Sequence, residues 1–275
     1  MKNLTFVTPL QIESQDRLRN CITVFSYLSK NFPEAKILVK EIDTESKFLP
    51  LALPKIKYLT GGADNIIHVF EYSDKLFNKS KTINDMVLMA ETDIVFNYDI
   101  DVMMPIETYQ KAYDMLMSDQ YDVVYPYGCG VYLYNVQNFD SHINGFLSSG
   151  YDLKTLIPHS QRLPSVQGWC QMFNKKKYME SFGFNENFIF VGYEDTEFLF
   201  RMGVLGKRIG RVDDDIYHLD HVRVHNKNYS DREFYEKNIL LWEWIRKQDK
   251  QTIMNYYSQQ AVSYTHLTLP TICSV

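Results

Sequence analysis

The sequence is poor in cysteine and has no long apolar run. Its four cysteines lack C-x-x-C spacing, so the sequence indicates neither a disulfide framework nor a cysteine-based zinc site, and a reducing compartment fits best. No segment reaches the ~18 consecutive apolar residues that span a bilayer. Residues 1–10 carry one lysine and a short apolar stretch that Pro9 interrupts, which is too little for a signal peptide. We therefore expect a cytoplasmic protein.

The chain also lacks an excess of positive charge. Its net charge is -5 and its pI is about 5.8, and the basic residues form no long run, which argues against a general nucleic-acid binder. An anionic substrate would need positive charge that is concentrated locally. With 45% hydrophobic and 15% aromatic residues in a chain of 275, the protein can bury one sizeable core, and we expect one domain.

The last stretch of the chain reads unlike the rest. Residues 262–271, VSYTHLTLPT, resemble the translation of a sequencing adapter, and residues 272–275 continue it. We expect residues 262–275 to be a non-native tail and the domain to cover residues 1–261, truncated near Ala261. A genuine C-terminal tail is the alternative.

Apolar periodicity predicts strands and helices that alternate along the first half of the chain. Such alternation is typical of a mostly parallel sheet with flanking helices, so we expect an α/β fold. We expect Pro50 and Pro54 to break the pattern, and the second half to be more irregular, with a loop region from Gly145 to Pro164. The predicted strands cover residues 4–8, 36–40, 65–72, 92–98, 122–127 and 131–136, and the predicted helices cover residues 17–30, 81–90 and 105–120.

Two acids one residue apart follow the most apolar of these strands. Residues 94–101 read IVFNYDID, so Asp99 and Asp101 stand where the strand leaves the core. The carboxyl ends of strands in open α/β sheets face the crevice where ligands bind. Two hard oxygen ligands there suit a divalent cation that holds a diphosphate. Turn chemistry alone also places Asp at strand ends, so the pair needs support from elsewhere in the chain.

Charged residues at two helix starts offer that support. Lys79 precedes the helix that leads into this strand, where its ammonium group and the backbone amides could both meet phosphate oxygens. Glu194, Asp195 and Glu197 open another predicted helix, where acids complement the dipole and Glu197 forms a favourable pair with Arg201. A carboxylate at such an entrance is also placed to take a proton from a sugar hydroxyl, which makes Glu194 and Asp195 candidate catalytic residues.

Histidines and one tryptophan complete the candidate site. His218, His221 and His225 fall in a region predicted to be a strand that runs into a loop. One of them could give an imidazole to a metal held at the acidic pair, and the sequence alone does not say which. Gly168 beside Trp169 allows a sugar ring to approach the backbone closely, although a core tryptophan explains the pair equally well.

The order of these segments resembles nucleotide-sugar-dependent glycosyltransferases of the GT-A fold. It is most similar to the branch that contains the β-1,4-galactosyltransferases, chondroitin-polymerase-type bacterial enzymes and polypeptide N-acetylgalactosaminyltransferases. The resemblance runs from Leu4 to about Asn228. The matching segments are SQDRLRN at residues 14–20 (S-x-x-R-x-x-N), FNKSKTIN at 77–84 (F-N-R-x-K-x-x-N), the D-x-D at 99–101, and FNENF with GYED at 184–195.

The resemblance implies a mostly parallel central sheet flanked by helices, with an irregular acceptor-binding second half. It implies transfer of a hexose or N-acetylhexosamine from a UDP-sugar to a hydroxyl of a glycan or glycolipid acceptor. A divalent metal is implied as cofactor, Mn²⁺ in preference to Mg²⁺, with the UDP-sugar as co-substrate. Asp195 would be the catalytic base in a transfer that inverts configuration, and Glu194 would hold sugar hydroxyls.

The resemblance also assigns ligands. Asp101 and His221 would bind the metal, with His218 as the second histidine candidate. The residues expected to contact the donor are Arg17, Lys79 and Asp99 by motif, Glu41 or Asp43 by position at the end of the second strand, and Gly168 with Trp169. One departure matters: many relatives read Gly-Trp-Gly before Glu-Asp, whereas residues 190–192 read FVG, so the resemblance does not identify the acceptor.

Two alternatives remain open from the residues. A haloacid-dehalogenase-type phosphatase would use Asp99 as a phosphorylated nucleophile, with the acids at residues 213–215 as its later motif. A non-catalytic sugar- or nucleotide-binding module is the other. The segment 229–257 predicts an aromatic-rich helix that packs on the domain or contacts a membrane surface peripherally, and the sequence does not fix the oligomeric state.

Overall fold

The structure is a computed structural model that describes residues 1–165, 167–190, 192–222 and 231–261. In chain order its elements are β1 (Leu4–Leu10), α1 (Gln15–Asn31), β2 (Lys36–Asp43), a π-helical turn (Phe48–Ala52), α2 (Leu53–Thr60), β3 (Ile66–Tyr72), α3 (Lys79–Met89), β4 (Ile94–Tyr98), β5 (Val102–Met103), α4 (Ile106–Met117), β6 (Val123–Tyr125), β7 (Leu133–Val136), α5 (Asp140–Ser148), a 3-10 helix (Leu153–His159), β8 (Ser160–Leu163), β9 (Cys170–Asn174), α6 (Lys175–Glu180), α7 (Glu194–Val204), β10 (Ile209–Arg211), β11 (Ile216–Leu219), α8 (Asp231–Ile245) and α9 (Lys250–Ala261).

A large mixed sheet forms the centre of the molecule. Within the described residues it has seven strands in the order β10-β6-β9-β4-β1-β2-β3. All neighbouring strands are parallel except β9, which runs antiparallel to β4 on one side and to β6 on the other. The predicted α/β class with a mostly parallel sheet is confirmed.

The core of this sheet is aromatic. Phe6 on β1 stacks on Phe96 of β4 with 5.3 Å between ring centroids, and Tyr98 and Tyr109 pack around them, all four side chains being fully buried. Burial of each such ring contributes about 1.5–3 kcal/mol. The apolar run that predicted a buried strand therefore anchors β4 firmly, and the residues that follow it leave the core from a rigid base.

A second, smaller sheet carries the remaining strands of the described part of the chain in the order β5-β11-β7-β8. Strand β5 begins directly after Asp101, and it pairs antiparallel with β11 so that Val102 lies opposite His218. This pairing brings a histidine from late in the sequence next to the acidic pair that ends β4.

Helix α1 begins as its sequence predicts. The Ser14 side chain caps the helix by accepting a hydrogen bond from the amide of Arg17 at 3.2 Å, and Asp16 lies in the first turn. Because the cap fixes the first turn, the side chain of Arg17 is presented at the carboxyl end of β1, close to the end of β4.

Three predictions about local structure are wrong. The segment with Pro50 and Pro54 is helical, because Pro54 occupies the first turn of α2, where proline's missing amide costs nothing. The expected loop from Gly145 to Pro164 contains the end of α5, a 3-10 helix and β8. The single aromatic helix expected over residues 229–257 is two helices, α8 and α9, separated at residues 246–249.

The aromatic residues of α8 and α9 partly pack on the protein. Trp242 lies edge-on to Phe200 at 5.4 Å, and Trp244 lies 5.1 Å from Tyr256 of α9, measured between ring centroids. In the described part of the chain, no helix combines the length and apolar character that a membrane span requires. Peripheral membrane contact stays a prediction, as does the domain boundary at Ala261; residues 262–275 lie outside the described residues.

Candidate functional site

The end of β4 and the end of β11 form a cluster of potential metal ligands. Asp101 Oδ2 lies 3.2 Å from His221 Nε2 and 3.9 Å from His218 Nε2. One ligand atom from each of these three residues falls within 4.8 Å of the others, and Asp101 is buried. The resemblance implied Asp101 and His221 as ligands with His218 as the second histidine candidate, and the structure brings these three residues together; His225, the third histidine of the segment, lies outside the described residues.

The hydrogen bonds of both imidazoles orient the rings so that both Nε2 atoms face Asp101. His218 Nδ1 is 2.8 Å from Asn135 Oδ1, and His221 Nδ1 is 3.3 Å from the Val222 carbonyl oxygen. Since these oxygens only accept hydrogen bonds, each Nδ1 carries a proton, and each Nε2 is the ring atom that can act as a ligand once it has lost its own proton. Second partners of this kind are typical of histidines that bind metals.

One atom of the cluster is left without a partner. Asp101 Oδ1 is buried and has no hydrogen-bond partner among the described residues. A buried carboxylate oxygen in that condition costs free energy unless something supplies positive charge. One carboxylate with two imidazoles is a donor set that suits Mn²⁺ and similar divalent ions, so the residues present fit a divalent cation.

Arg17 also reaches the end of β4. Its Nη1 lies 2.5 Å from Asp101 Oδ2. Burial opposes ionisation of Asp101, but the hydrogen bond with His221 and the positive fields of His218 and Arg17 outweigh it, so the pKa of Asp101 lies well below its ordinary range. The carboxylate is therefore kept ionised, as a metal ligand must be.

Lys79 and Asp99 form an ion pair beside this cluster. Lys79 Nζ lies 2.9 Å from Asp99 Oδ1, and the backbone amide of Asp99 donates to the Trp169 carbonyl at 2.9 Å. Burial favours the neutral amine, but the charges of Asp99, Asp195 and Glu194 outweigh burial, so the pKa of Lys79 is raised above its ordinary value. Lys79 therefore remains a cation in the middle of three carboxylates.

Helix α7 delivers the two candidate catalytic acids. Tyr193, in a left-handed conformation with φ 71°, turns the chain into the helix, and Glu194 and Asp195 occupy the first turn. The Gly192 amide donates to Glu194 Oε2 at 3.0 Å. Burial, with Asp195 adding to it, raises the pKa of Glu194 to about 7. The site thus holds more carboxylate than the cations of the described residues balance, which again favours a bound cation.

Gly168 and Trp169 lie between the acids and the histidines. A side chain on Gly168 would place its Cβ 2.9 Å from Asp195 Oδ2, and the φ of 119° is itself one that only glycine adopts readily. The Trp169 ring lies 6.2 Å from His218 and 5.6 Å from Tyr127, between centroids. Trp169 has φ 52°, a strained conformation for a bulky residue, and strain of this kind is concentrated at functional sites.

Two buried amides next to Asp195 were missed by sequence reasoning. Gln171 Nε2 donates to Asp195 Oδ1 at 3.1 Å, and Asn97 Nδ2 donates to Gln171 Oε1 at 2.7 Å. Both residues lie inside segments that the sequence singled out, but uncharged amides carry no motif signal. Only the pairing of β4 with β9, which sets Asn97 opposite Gln171, reveals their role.

Glu41 and Asp43 are not part of this cluster. Both carboxylate oxygens of Glu41 accept hydrogen bonds from the chain itself, among them the amide of Lys47 at 2.7 Å and His68 Nε2 at 3.0 Å. Asp43 binds Lys47 Nζ at 2.9 Å. In the structure the two carboxylates stabilise the turn after β2. The nucleotide contact expected of them stays a prediction.

Other acids singled out in the sequence have structural partners. Glu197 forms a fully buried ion pair with Arg201 at 2.7 Å, so the helical pairing accounts for it. In the run at residues 213–215, Asp214 binds Lys111 at 2.8 Å and Asp215 binds Arg162 at 2.5 Å. These basic partners account for both acids as surface ion pairs.

Three solved structures that share this architecture are nucleotide-sugar glycosyltransferases of the GT-A fold. The chain aligns with Staphylococcus aureus TarS 1–349 in complex with UDP-GlcNAc at a TM-score of 0.56 and 13% identity, over 95% of this chain and 73% of that one. It aligns with a Pyrobaculum calidifontis mannosyltransferase in complex with GDP-Man and Mn²⁺ at 0.50 and 11%, over 98% and 76%.

A third structure is GalNAc-T7 with UDP, GalNAc and Mn²⁺, at a TM-score of 0.57 and 12% identity, over 86% of this chain and 47% of that one. No protein-family model matches the chain, and no curated protein matches it in sequence. At these low identities the likeness establishes the GT-A fold, and the activity has to be argued from the site.

Proposed function

We propose that this protein is a metal-dependent glycosyltransferase that moves a hexose or N-acetylhexosamine from a UDP-sugar to a hydroxyl of a glycan or glycolipid. The observation that carries the proposal is the joint position of the metal-ligand cluster, Lys79 and Asp195 at one end of the central sheet. Positive charge that could bind a diphosphate thus lies next to a carboxylate that could accept a proton from a hydroxyl group. The GT-A fold supports the proposal, because two of the similar structures hold a nucleotide sugar and the third holds UDP with GalNAc.

Asp101, His218 and His221 would hold the metal. When bound there, a divalent cation, Mn²⁺ for preference and Mg²⁺ as the alternative, supplies positive charge that stabilises the departing diphosphate. Lys79 would add a charge-assisted hydrogen bond to phosphate oxygens, and Arg17 has the reach and charge to do the same from the other side of the acidic pair. Asp99, paired with Lys79, would orient the ribose and donor sugar.

Asp195 would act as the base. It removes a proton from the acceptor hydroxyl as that oxygen attacks the anomeric carbon, and general base catalysis of this kind contributes about 10²–10⁴-fold. We propose inversion, because attack opposite the departing UDP reverses the configuration. Glu194 would hold sugar hydroxyls, and the exposed part of the Trp169 indole, next to Gly168, would pack against the apolar face of a sugar ring.

The test is UDP release from a panel of donors, with and without Mn²⁺. The donors are UDP-glucose, UDP-galactose and their N-acetyl derivatives, and the acceptors are p-nitrophenyl glycosides of the same four sugars. We expect one donor to give metal-dependent release, and Asp101→Asn and Asp195→Asn each to abolish it in a folded protein. Asp214→Asn, which changes an acid outside the cluster, is the matched control and should retain activity.

Other outcomes point elsewhere. Release of inorganic phosphate from a phosphate ester, lost in Asp99→Asn, would support the phosphatase. Metal-dependent UDP-sugar binding by calorimetry, with no turnover of any donor, would support the binding module. Wild-type turnover by Asp195→Asn would remove that residue from the role of base.

A further inference from the structure

We propose that Asn97 and Gln171 form a buried amide relay that positions the Asp195 carboxylate, which makes Gln171 a positioning residue for sugar transfer. The inference rests on the proposed role of Asp195 as the base. It adds two residues whose side chains carry no charge and match no motif, and it says how the central sheet controls a group that belongs to a helix.

The relay starts from the strand that carries the acidic pair. Asn97 on β4 and Gln171 on β9 are directly opposite each other in the antiparallel ladder, and both are fully buried. Asn97 Nδ2 donates to Gln171 Oε1 at 2.7 Å, and Gln171 Nε2 donates to Asp195 Oδ1 at 3.1 Å and to the Gly168 carbonyl at 3.2 Å. One amide thus links the sheet, the Gly168 loop and helix α7.

The direction of these hydrogen bonds follows from chemistry alone. An ionised carboxylate and a backbone carbonyl only accept, so the Gln171 nitrogen has to face Asp195 and Gly168. The Gln171 oxygen therefore faces Asn97, and Asn97 has to present its nitrogen to it. Exchanging oxygen and nitrogen in either side chain would set two acceptors or two donors against each other, so the relay has a single orientation.

The relay fixes which oxygen of Asp195 is available. Oδ1 accepts from Gln171, whereas Oδ2 lies on the side of Gly168, where the missing side chain leaves room for it. Oδ2 is then the atom that takes the acceptor's proton.

The experiment compares Gln171→Met and Asn97→Leu with wild type in steady-state transfer. Gln171→Met keeps the length and volume of the side chain but cannot donate. Asn97→Leu keeps a side chain of similar shape but cannot donate to the Gln171 oxygen. We expect both to lower kcat by about 10- to 100-fold, since a displaced catalytic group costs up to roughly 10². We expect KM for the UDP-sugar to be unchanged.

A merely structural role gives a different pattern. The control is Asn65→Met, which removes the Asn65 amide hydrogen bonds to the Phe32 and Ala35 carbonyls at the amino-terminal ends of β2 and β3. It should lower thermal stability but leave kcat and KM unchanged. UDP binding in the presence of Mn²⁺, measured by calorimetry, checks that each variant retains a formed site. If Gln171→Met does not fold, Asn97→Leu decides.

The relay is overturned if the folded variants turn over within about twofold of wild type, or if KM for the UDP-sugar rises together with the fall in kcat. Failure of the relay and failure of the proposed function look different. If Asp195→Asn is inactive while Gln171→Met is normal, the base stands and the relay falls. If Asp195→Asn turns over normally, the base itself has been assigned wrongly.

Discussion

The largest stability effect that we expect comes from Arg201→Met in helix α7, the helix that carries Asp195. The guanidinium group of Arg201 is fully buried. Its Nε lies 2.7 Å from Glu197 Oε1, and its Nη2 lies 3.2 Å from Glu197 Oε2 and 2.6 Å from the Gly183 carbonyl. Its Nη1 donates to the Ser181 carbonyl. One side chain therefore satisfies a buried carboxylate and two backbone carbonyls.

Removing the Arg201 side chain leaves the buried Glu197 carboxylate without its ion-pair partner. Breaking a buried ion pair from one side costs about 3–5 kcal/mol, because the remaining charge has neither water nor a counterion. The Tyr257 hydroxyl still donates to Glu197 Oε1 at 2.5 Å and offsets part of this cost. The carbonyls of Ser181 and Gly183, left without donors, add to it, at about 1–3 kcal/mol for each buried group left unsatisfied. We therefore expect Arg201→Met to lose about 3–5 kcal/mol of unfolding free energy.

Urea unfolding at neutral pH, followed by circular dichroism, measures this loss. Arg232→Met is the matched control: Arg232 and Glu236 also form an i,i+4 pair, at 2.8 Å, but on the exposed surface of α8. Exposed pairs contribute little, so the control should unfold like wild type. The double variant Glu197→Leu with Arg201→Met should recover part of the loss, since it leaves no charge unpaired.

The reasoning is refuted if Arg201→Met unfolds within about 1 kcal/mol of wild type, the size of an ordinary substitution. It is also refuted if the double variant is less stable than Arg201→Met alone. Either result would mean that the surroundings of Glu197 admit water or let the carboxylate take up a proton at little cost.

Three further predictions concern the site. Gly168→Ala should lower kcat at least about tenfold, because its Cβ would lie 2.9 Å from the carboxylate of Asp195, the proposed base. The control is Gly130→Ala, where φ is a similar 122° but the nearest atom, on the Tyr132 ring, is 3.8 Å away. This control should lower stability without lowering kcat. Burial raises the pKa of Glu194 from its ordinary 4.5 to about 7, so the folded protein binds a proton there that the unfolded chain releases. Unfolding free energy should therefore fall as pH rises through this range, and in Glu194→Gln denaturant titrations should show a shallower fall. Asn135→Leu removes the acceptor of the His218 Nδ1 proton at 2.8 Å, and calorimetry should show Mn²⁺ affinity about 10- to 100-fold weaker; unchanged affinity would argue against His218 as a ligand.

The sequence predicted the parts of the site that carry charge. The apolar run before Asp99 predicted a buried strand, because strands of parallel sheets are buried on both faces and therefore have continuous apolar sequences. Acids at the first turn of a helix are recognisable because they complement its dipole, which located Glu194 and Asp195. Lys79 was noted from its place at a helix start, and His221 was assigned by the family resemblance. Each of these signals is local, so it could be read without knowing which strands are neighbours.

Local signals were insufficient where the surroundings of a residue change its structural effect. Pro54 was expected to break the pattern, yet proline is tolerated in a helix's first turn and here helps to begin α2. Gly145 lies inside α5, whose buried Ile143 and Phe146 pack on the core and outweigh the cost of a glycine. Glu41 stands at the end of a strand as a ligand-binding acid would; the backbone amides of the following turn donate to its carboxylate, and its contact with the nucleotide stays a prediction.

The contact between Asn97 and Gln171 could not be predicted from the sequence, because it depends on a strand pairing that no local pattern encodes. Asn97 and Gln171 are 74 positions apart, and a chain of alternating strands and helices favours parallel neighbours, not an antiparallel β9 inserted beside β4. Once β9 is inserted there, its first residues must run past the end of β4. The Trp169 carbonyl then accepts from the Asp99 amide at 2.9 Å, and Gln171 is set between the sheet and Asp195. The antiparallel insertion therefore determines where Asp195, the proposed base, lies relative to the proposed metal ligands, so a variant that weakens the β4–β9 ladder should disturb both together.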